Sequence, residues 1–150
     1  MTAAKVTTMI DFYGFSAIAP FKDSIRGETS AERVTCLEEL FKDDIGDPGF
    51  LPYLQLHEFE ALVFVSPADA AAALTEKKKE SDLLKIKNEC GSPEEIDDNP
   101  ETAPSKRLQK ILPSYNKAVH GPIIIKRIGF ARIRRECPHF DDWVTRLENL

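Results

Sequence analysis

Two short runs of β-branched and apolar residues, Lys5–Asp11 and Phe50–Leu56, flank one well-bounded helical pattern, and this arrangement constrains the fold most. Val6, Thr7, Thr8 and Ile10 give the first run its strand preference, and Asp11 and Gly14 close it, so a buried strand is expected there. Thr29-Ser30-Ala31-Glu32 reads as a capping box, in which the Thr29 hydroxyl accepts the Glu32 amide and the Glu32 carboxylate reaches back. Val34, Leu37, Leu40 and Phe41 then recur at helical spacing until Gly46 stops the helix. Phe50–Leu56 is the second strand. Pro52 has no N–H to give a ladder, so it belongs at that strand's first residues or on a sheet edge. Strand, helix and strand together make a right-handed crossover with two parallel strands. Between Gly14 and Thr29 a long loop is expected, and such loops in compact domains are often functional.

From His57 onward the pattern turns helical. Phe59, Leu62 and Val63 recur at helical period, Ser66-Pro67 is an N-cap with proline opening an alanine-rich helix over 67–74, and another helix runs from Lys77 to near Gly91. Residues 92–101 are acidic and read as an exposed loop. Further helices are expected at about 103–112, 122–128 and 139–149, the last anchored by Phe140, Trp143, Val144 and Leu147. The expected class is therefore α/β, a small parallel sheet with a helical C-terminal half. The 150 residues suit one domain, 1–150, with a βαβ-like part over 1–65 and a helical part over 66–150. Two parallel strands alone make a poor sheet, because parallel sheets are normally covered on both faces. Either another strand-bearing chain completes it, or the helices cover its edges.

With 42% hydrophobic residues the chain is too apolar for a disordered one, and no run approaches the ~20 apolar residues that span a bilayer, which excludes an integral membrane protein. Cys36, Cys90 and Cys137 are widely spaced and form no metal-binding pattern; they read as reduced thiols of a cytoplasmic protein. A net charge of −5 argues against a general nucleic-acid coat, but leaves room for a local basic patch.

Three groups of residues are candidates for chemistry. Asp11 ends the first strand, and in open α/β sheets ligands bind beyond the carboxyl ends of strands. A carboxylate there is a natural Mg²⁺ ligand, or a simple cap for the following turn. His57, Glu58 and Glu60 stand at the matching end of the second strand, where two or three acids and a histidine would hold a divalent metal with His57 or a glutamate as general base. In a helix His57 and Glu60 share a face while Glu58 and Glu60 do not, and acids in a helix's first turn also simply suit its dipole. The third group is Ser105, Lys106 and Arg107, at the start of a helix that Thr102 would cap, where free N–H groups and cations would receive a phosphate. Lys126, Arg127, Arg132, Arg134 and Arg135 gather more positive charge on the late helices, facing nucleic acid or pairing with the acids at 94–98.

The strings Val6-Thr7-Thr8-Met9-Ile10-Asp11-Phe12-Tyr13-Gly14 and Tyr53-Leu54-Gln55-Leu56-His57-Glu58-Phe59-Glu60-Ala61-Leu62 resemble the bacterial DUF4276 family. So do Glu101-Thr102-Ala103-Pro104-Ser105-Lys106-Arg107-Leu108, His120-Gly121-Pro122 and Cys137-Pro138-His139-Phe140-Asp141-Asp142-Trp143. The resemblance implies a Toprim-like, metal-dependent nuclease found near ATPase genes in phage-defence and mobile-element settings. In that pattern a first strand carries a catalytic glutamate and a later strand ends in a metal-binding aspartate, the place Asp11 matches. The second aspartate of the pattern falls on Tyr13, and the glutamate-bearing strand belongs ahead of the point where this sequence begins. The chain is thus expected to be an incomplete Toprim-like βαβ unit.

Two functions follow. In the first, the chain is a Mg²⁺-dependent nuclease or a remnant of one, with Asp11 and Glu58 on the metal, Glu58, Glu60 and His57 as catalytic groups, and Ser105, Lys106 and Arg107 on phosphate. In the second it is a non-catalytic module whose open strand edge pairs with a second copy, a complementing chain or an ATPase partner. A small-molecule hydrolase built on His57 and Glu58 is a third class, with no nucleophile motif behind it.

Overall fold

The computed structural model describes residues 4–96 and 101–150. The first strand run is split into β1 (Val6–Thr7) and β2 (Ile10–Asp11), followed by α1 (Phe12–Ile18) and α2 (Ser30–Ile45). The second is split into β3 (Phe50–Leu51) and β4 (Leu54–Gln55). β1 pairs with β3 and β2 with β4, both parallel, in one continuous register: Val6 opposite Phe50, Thr7 opposite Leu51, Ile10 opposite Leu54, Asp11 opposite Gln55. The two ladders are one strand pair interrupted at Pro52, the residue that cannot donate.

Thr8 bridges the interruption. Its hydroxyl accepts from the Tyr53 amide at 3.0 Å and donates to the Tyr53 carbonyl at 3.1 Å, replacing ladder bonds with side-chain ones. Thr8→Val keeps the shape and removes both bonds, so it is expected to lower stability by about 1–2 kcal/mol in urea unfolding. An unchanged midpoint would show that the hydroxyl is dispensable.

The alternation of the second strand run explains why it is buried on both faces. Leu54 and Leu56 face α1 and α2, packing with Phe12, Ala19, Val34 and Leu37. Tyr53 faces the helical half and joins its larger apolar cluster. The first strand run is different. The burial expected there is not found: β1 is exposed and β2 half-buried, because among the described residues only one of its edges is paired.

The helical half comprises α3 (Pro67–Ala73), α4 (Glu80–Cys90), α5 (Pro104–Ile111), α6 (Lys117–Ile128), α7 (Phe130–Glu136) and α8 (Pro138–Glu148). They pack around Phe59–Val65, a 3-10 segment whose residues 60–65 are all buried. A helix apolar all round belongs in a core, and this one is the core's centre. Gly121 lets α6 approach it closely, since a Cβ there would lie 3.0 Å from the Phe59 ring.

Local signals behaved as expected. Thr29 and Glu32 form the complete capping box, Gly46 ends α2 in the left-handed region at φ 67°, and the Ser66 side chain caps α3. Four expectations need correction. The stretch 14–29 is not all loop, because Phe12 and Phe15, one turn apart, pack α1 against α2 despite Gly14. Residues 93–95 form a 3-10 turn with Pro93, Glu94 and Ile96 buried, so this part of the acidic stretch is no exposed loop; residues 97–100 lie outside the described residues. α6 starts at Lys117, five residues early, with Pro122 inside it, and α7 was not expected. Ala103, not Thr102, is the N-cap of α5.

α8 docks on the strand pair. Trp143 stacks on Tyr53 at 4.3 Å and its indole N–H donates to the Thr7 hydroxyl at 2.8 Å. Beneath it, His139 Nε2 donates to Glu38 Oε1 at 3.0 Å, while the same carboxylate oxygen accepts the Leu54 amide at 2.7 Å. Glu94 accepts the amides of His139 and Phe140, occupying the start of α8. Among the described residues no helix is long and apolar enough to cross a membrane.

Candidate functional site

The carboxyl end of the first strand run brings Asp11 against the start of the 3-10 segment. Asp11 Oδ1 accepts the Phe59 amide at 2.8 Å, satisfying one of the donors a helix start leaves open. Its other oxygen accepts from Lys117 Nζ at 3.0 Å. The same ammonium lies 3.1 Å from Glu60 Oε2. Two carboxylates that follow the carboxyl ends of the two paired strands therefore converge on one cation, supplied by the first residue of α6.

The environments of the three groups differ. Glu60 is only 2% exposed, and burial pushes its pKa up against the pull of Lys117, with the nearby Glu58 charge adding to the rise. Burial alone would lower the pKa of Lys117, but its bond to Asp11 and the charges of Asp11 and Glu60 prevail and raise it. Tyr115, only 6% exposed, is pushed upward by burial and by the charges of Glu60 and Glu58. Among the described residues its hydroxyl has no hydrogen-bond partner. A buried donor without an acceptor costs about 1–3 kcal/mol, which marks the position as one awaiting a partner.

The remaining expected residues sit around this pair in separate roles. Glu58 turns the other way from Glu60, as their spacing requires, and its Oε2 accepts the Ser105 amide at 2.9 Å. The Ser105 amide at the start of α5, expected to receive a phosphate, is occupied by the chain's own Glu58. Arg107 is anchored through Nε to the Thr102 carbonyl at 2.6 Å, and Lys106 is exposed beside it. His57 adopts φ 63°, the left-handed region, to turn the chain from β4 into the 3-10 segment. Its ring Nε2 bonds the Glu94 carbonyl at 3.1 Å.

The site's chemistry bears on the metal. Among the described residues no three His, Cys, Asp or Glu side chains converge to share an ion. Two carboxylates do, and Mg²⁺ is commonly held by one or two carboxylates with waters and substrate phosphates. Asp11 and Glu60 fit that donor set, with Lys117 at the position an ion would take.

Lys117 and Tyr115 were not anticipated from the sequence. One signal was present: Lys117 opens α6 behind the Asn116 cap, where the helix dipole disfavours a cation. A charge placed against local preference points to a partner elsewhere. Three residues of the late basic group form ion pairs within the chain. Arg127 pairs with Asp69 at 3.6 Å, Arg132 with Asp69 and Glu136, and Arg134 with Asp141 and Glu148. Comparison with known sequences assigns a family: the model of DUF4276, a domain of unknown function, matches residues 1–148. No curated protein and no solved structure matches the chain.

Proposed function

The chain belongs to the DUF4276 family, a family described without an activity, and from the site itself we propose Mg²⁺-dependent hydrolysis of nucleic-acid phosphodiesters, or a site descended from it. The observation that carries this reading is the convergence of Asp11 and Glu60 on one cation position at the strand ends, beside the unpartnered Tyr115 hydroxyl. Asp11 and Glu60 would hold the ion. Bound there, Mg²⁺ would polarise a phosphoryl oxygen and lower the pKa of water. Lys117 is half-exposed, free to swing from the carboxylates onto a phosphate oxygen, and Tyr115 donates to the same group. Glu58, fixed by the Ser105 amide, is the neighbouring carboxylate that takes the water's proton. The Toprim-like kinship, the phage-defence setting and a cytoplasmic location belong to the same reading; the three free thiols fit the last of these.

The test is cleavage of end-labelled DNA and RNA oligonucleotides in Mg²⁺, with EDTA and Asp11→Asn as controls. Cleavage that needs both the metal and Asp11 is the expected outcome. Equal behaviour of wild type and Asp11→Asn ends the proposal.

A second reading rests on the strand edge. Val6 is 58% exposed and Met9 44%, on a strand paired along one edge only among the described residues. Such an edge suits pairing with a second copy, a complementing strand or an ATPase partner. Sedimentation as a monomer at high micromolar concentration removes self-pairing.

A further inference from the structure

Five cations line one concavity, and among the described residues only Lys85 of them is in an ion pair, with Glu89 on its own helix. A groove between α4 and α5, with a cavity of about 410 Å³, is lined by Lys79, Lys85, Lys106, Arg107 and Lys110. Asp82 and Glu101 also line it, leaving an excess of three positive charges on a chain whose net charge is −5. The contrast with the late helices is informative. Arg127, Arg132 and Arg134 are each paired with a carboxylate, whereas Lys79, Lys106 and Lys110 form no ion pair among the described residues. Unpaired like charges crowded into a concavity repel one another, and a bound anion relieves that repulsion.

The layout selects the kind of anion. Lys106 and Lys110 are four residues apart, about 6 Å along α5, and Lys79 and Lys85 face them from the other wall. No single phosphate spans cations spread along two helices; a repeated one does. Ile86 and Ile111 give the groove an apolar floor for the sugar and base faces between the charges. Lys106 and Arg107 of the groove directly follow Ser105, whose amide holds Glu58 beside the acidic site.

We propose that the α4–α5 groove binds the sugar–phosphate backbone of a single-stranded nucleic acid and guides it toward the Asp11–Glu60 site. The inference rests on the phosphodiesterase reading for its substrate class and adds where the strand lies.

The experiment is fluorescence anisotropy of labelled single-stranded DNA and RNA oligonucleotides across a KCl series, in EDTA so that binding is read apart from cleavage. The variant is Lys106→Glu/Lys110→Glu. Its control is Lys22→Glu/Lys42→Glu, which changes net charge equally at exposed positions away from the groove. Circular dichroism checks that both remain folded. The groove variant is expected to bind at least about tenfold more weakly, with a log–log salt slope shallower by about 1.4, near 0.7 for each lost phosphate contact. The control is expected to stay within about threefold of wild type. Equal losses in both variants, no binding by wild type, or a preference for phosphatidylserine vesicles over oligonucleotides would each overturn the proposal. Binding retained with no Mg²⁺-dependent cleavage would count against the hydrolase reading alone.

Discussion

Asp11→Asn is expected to abolish metal-dependent cleavage, by about 100-fold or more, while leaving the fold nearly intact. The two carboxylate oxygens do different work, and asparagine separates them. One oxygen accepts the Phe59 amide at 2.8 Å, and the asparagine carbonyl oxygen can keep that bond. The other faces Lys117, and there an uncharged amide nitrogen replaces half of the negative charge that holds the cation. A role confined to capping the 3-10 segment would leave Asp11→Asn as active as wild type, with only Asp11→Ala losing the roughly 1 kcal/mol of a helix cap. A site that binds and activates through charge loses activity in both variants. The diagnostic readout is the ratio of the two effects: large in activity and small in unfolding free energy for Asp11→Asn.

The second large effect lies away from the acidic site, where Glu38 ties α2, β4 and α8 together. Glu38→Ala is expected to cost about 3 kcal/mol, because it strands the Leu54 amide and removes the charge facing the His139 ring, whose Nε2 keeps only the Leu54 carbonyl. For a chain of this length that is about a 10 °C fall in Tm. The interaction also carries a pH signature. Burial alone would lower the pKa of His139, but the bond and charge of Glu38, the charge of Glu94 and the Leu54 carbonyl hold it above its ordinary value of 6.5. A histidine whose pKa is raised on folding stabilises the protein fully below its unfolded pKa, and that contribution fades as pH rises through the folded value. Wild-type stability is therefore expected to decline as pH rises above about 6.5, with the decline absent in Glu38→Gln. Glu94, pushed up by burial despite its bonds to the His139 and Phe140 amides, gives the same sign from acid pH upward, so the Glu38→Gln variant is what isolates the His139 contribution. A flat profile above pH 6.5 in wild type would remove the charged pair.

What the sequence made legible was local. The Thr29–Glu32 box, the Gly46 stop and the Ser66-Pro67 start each depend on residues within a few positions of one another. Asp11 was legible too, since strand ends in parallel sheets are where ligand groups gather. The misread parts turned on tertiary context. Gly14 looked like the end of structure, yet the packing of Phe12 and Phe15 outweighs one glycine's cost in α1. Pro122 looked like a helix start and is instead accommodated within α6. Lys117 reaches Asp11 across more than a hundred residues, a pairing no spacing rule encodes, and only its unfavourable place at a helix start betrayed it. The phosphate expected at Ser105 illustrates the same limit: a helix start does attract an anion, and the nearest one was already on the chain.

Mn²⁺ binding by Lys117→Met, compared with wild type by titration calorimetry and by the shift in Tm, tests whether Asp11 and Glu60 form one cation position. Removing the ammonium leaves the two acids facing each other, so Lys117→Met is expected to bind Mn²⁺ at least about tenfold more tightly than wild type and to gain stability in its presence. Adding Asp11→Asn should erase that gain. A Lys117→Met protein that is folded yet gains no affinity, or a gain that survives Asp11→Asn, would contradict a shared cation site.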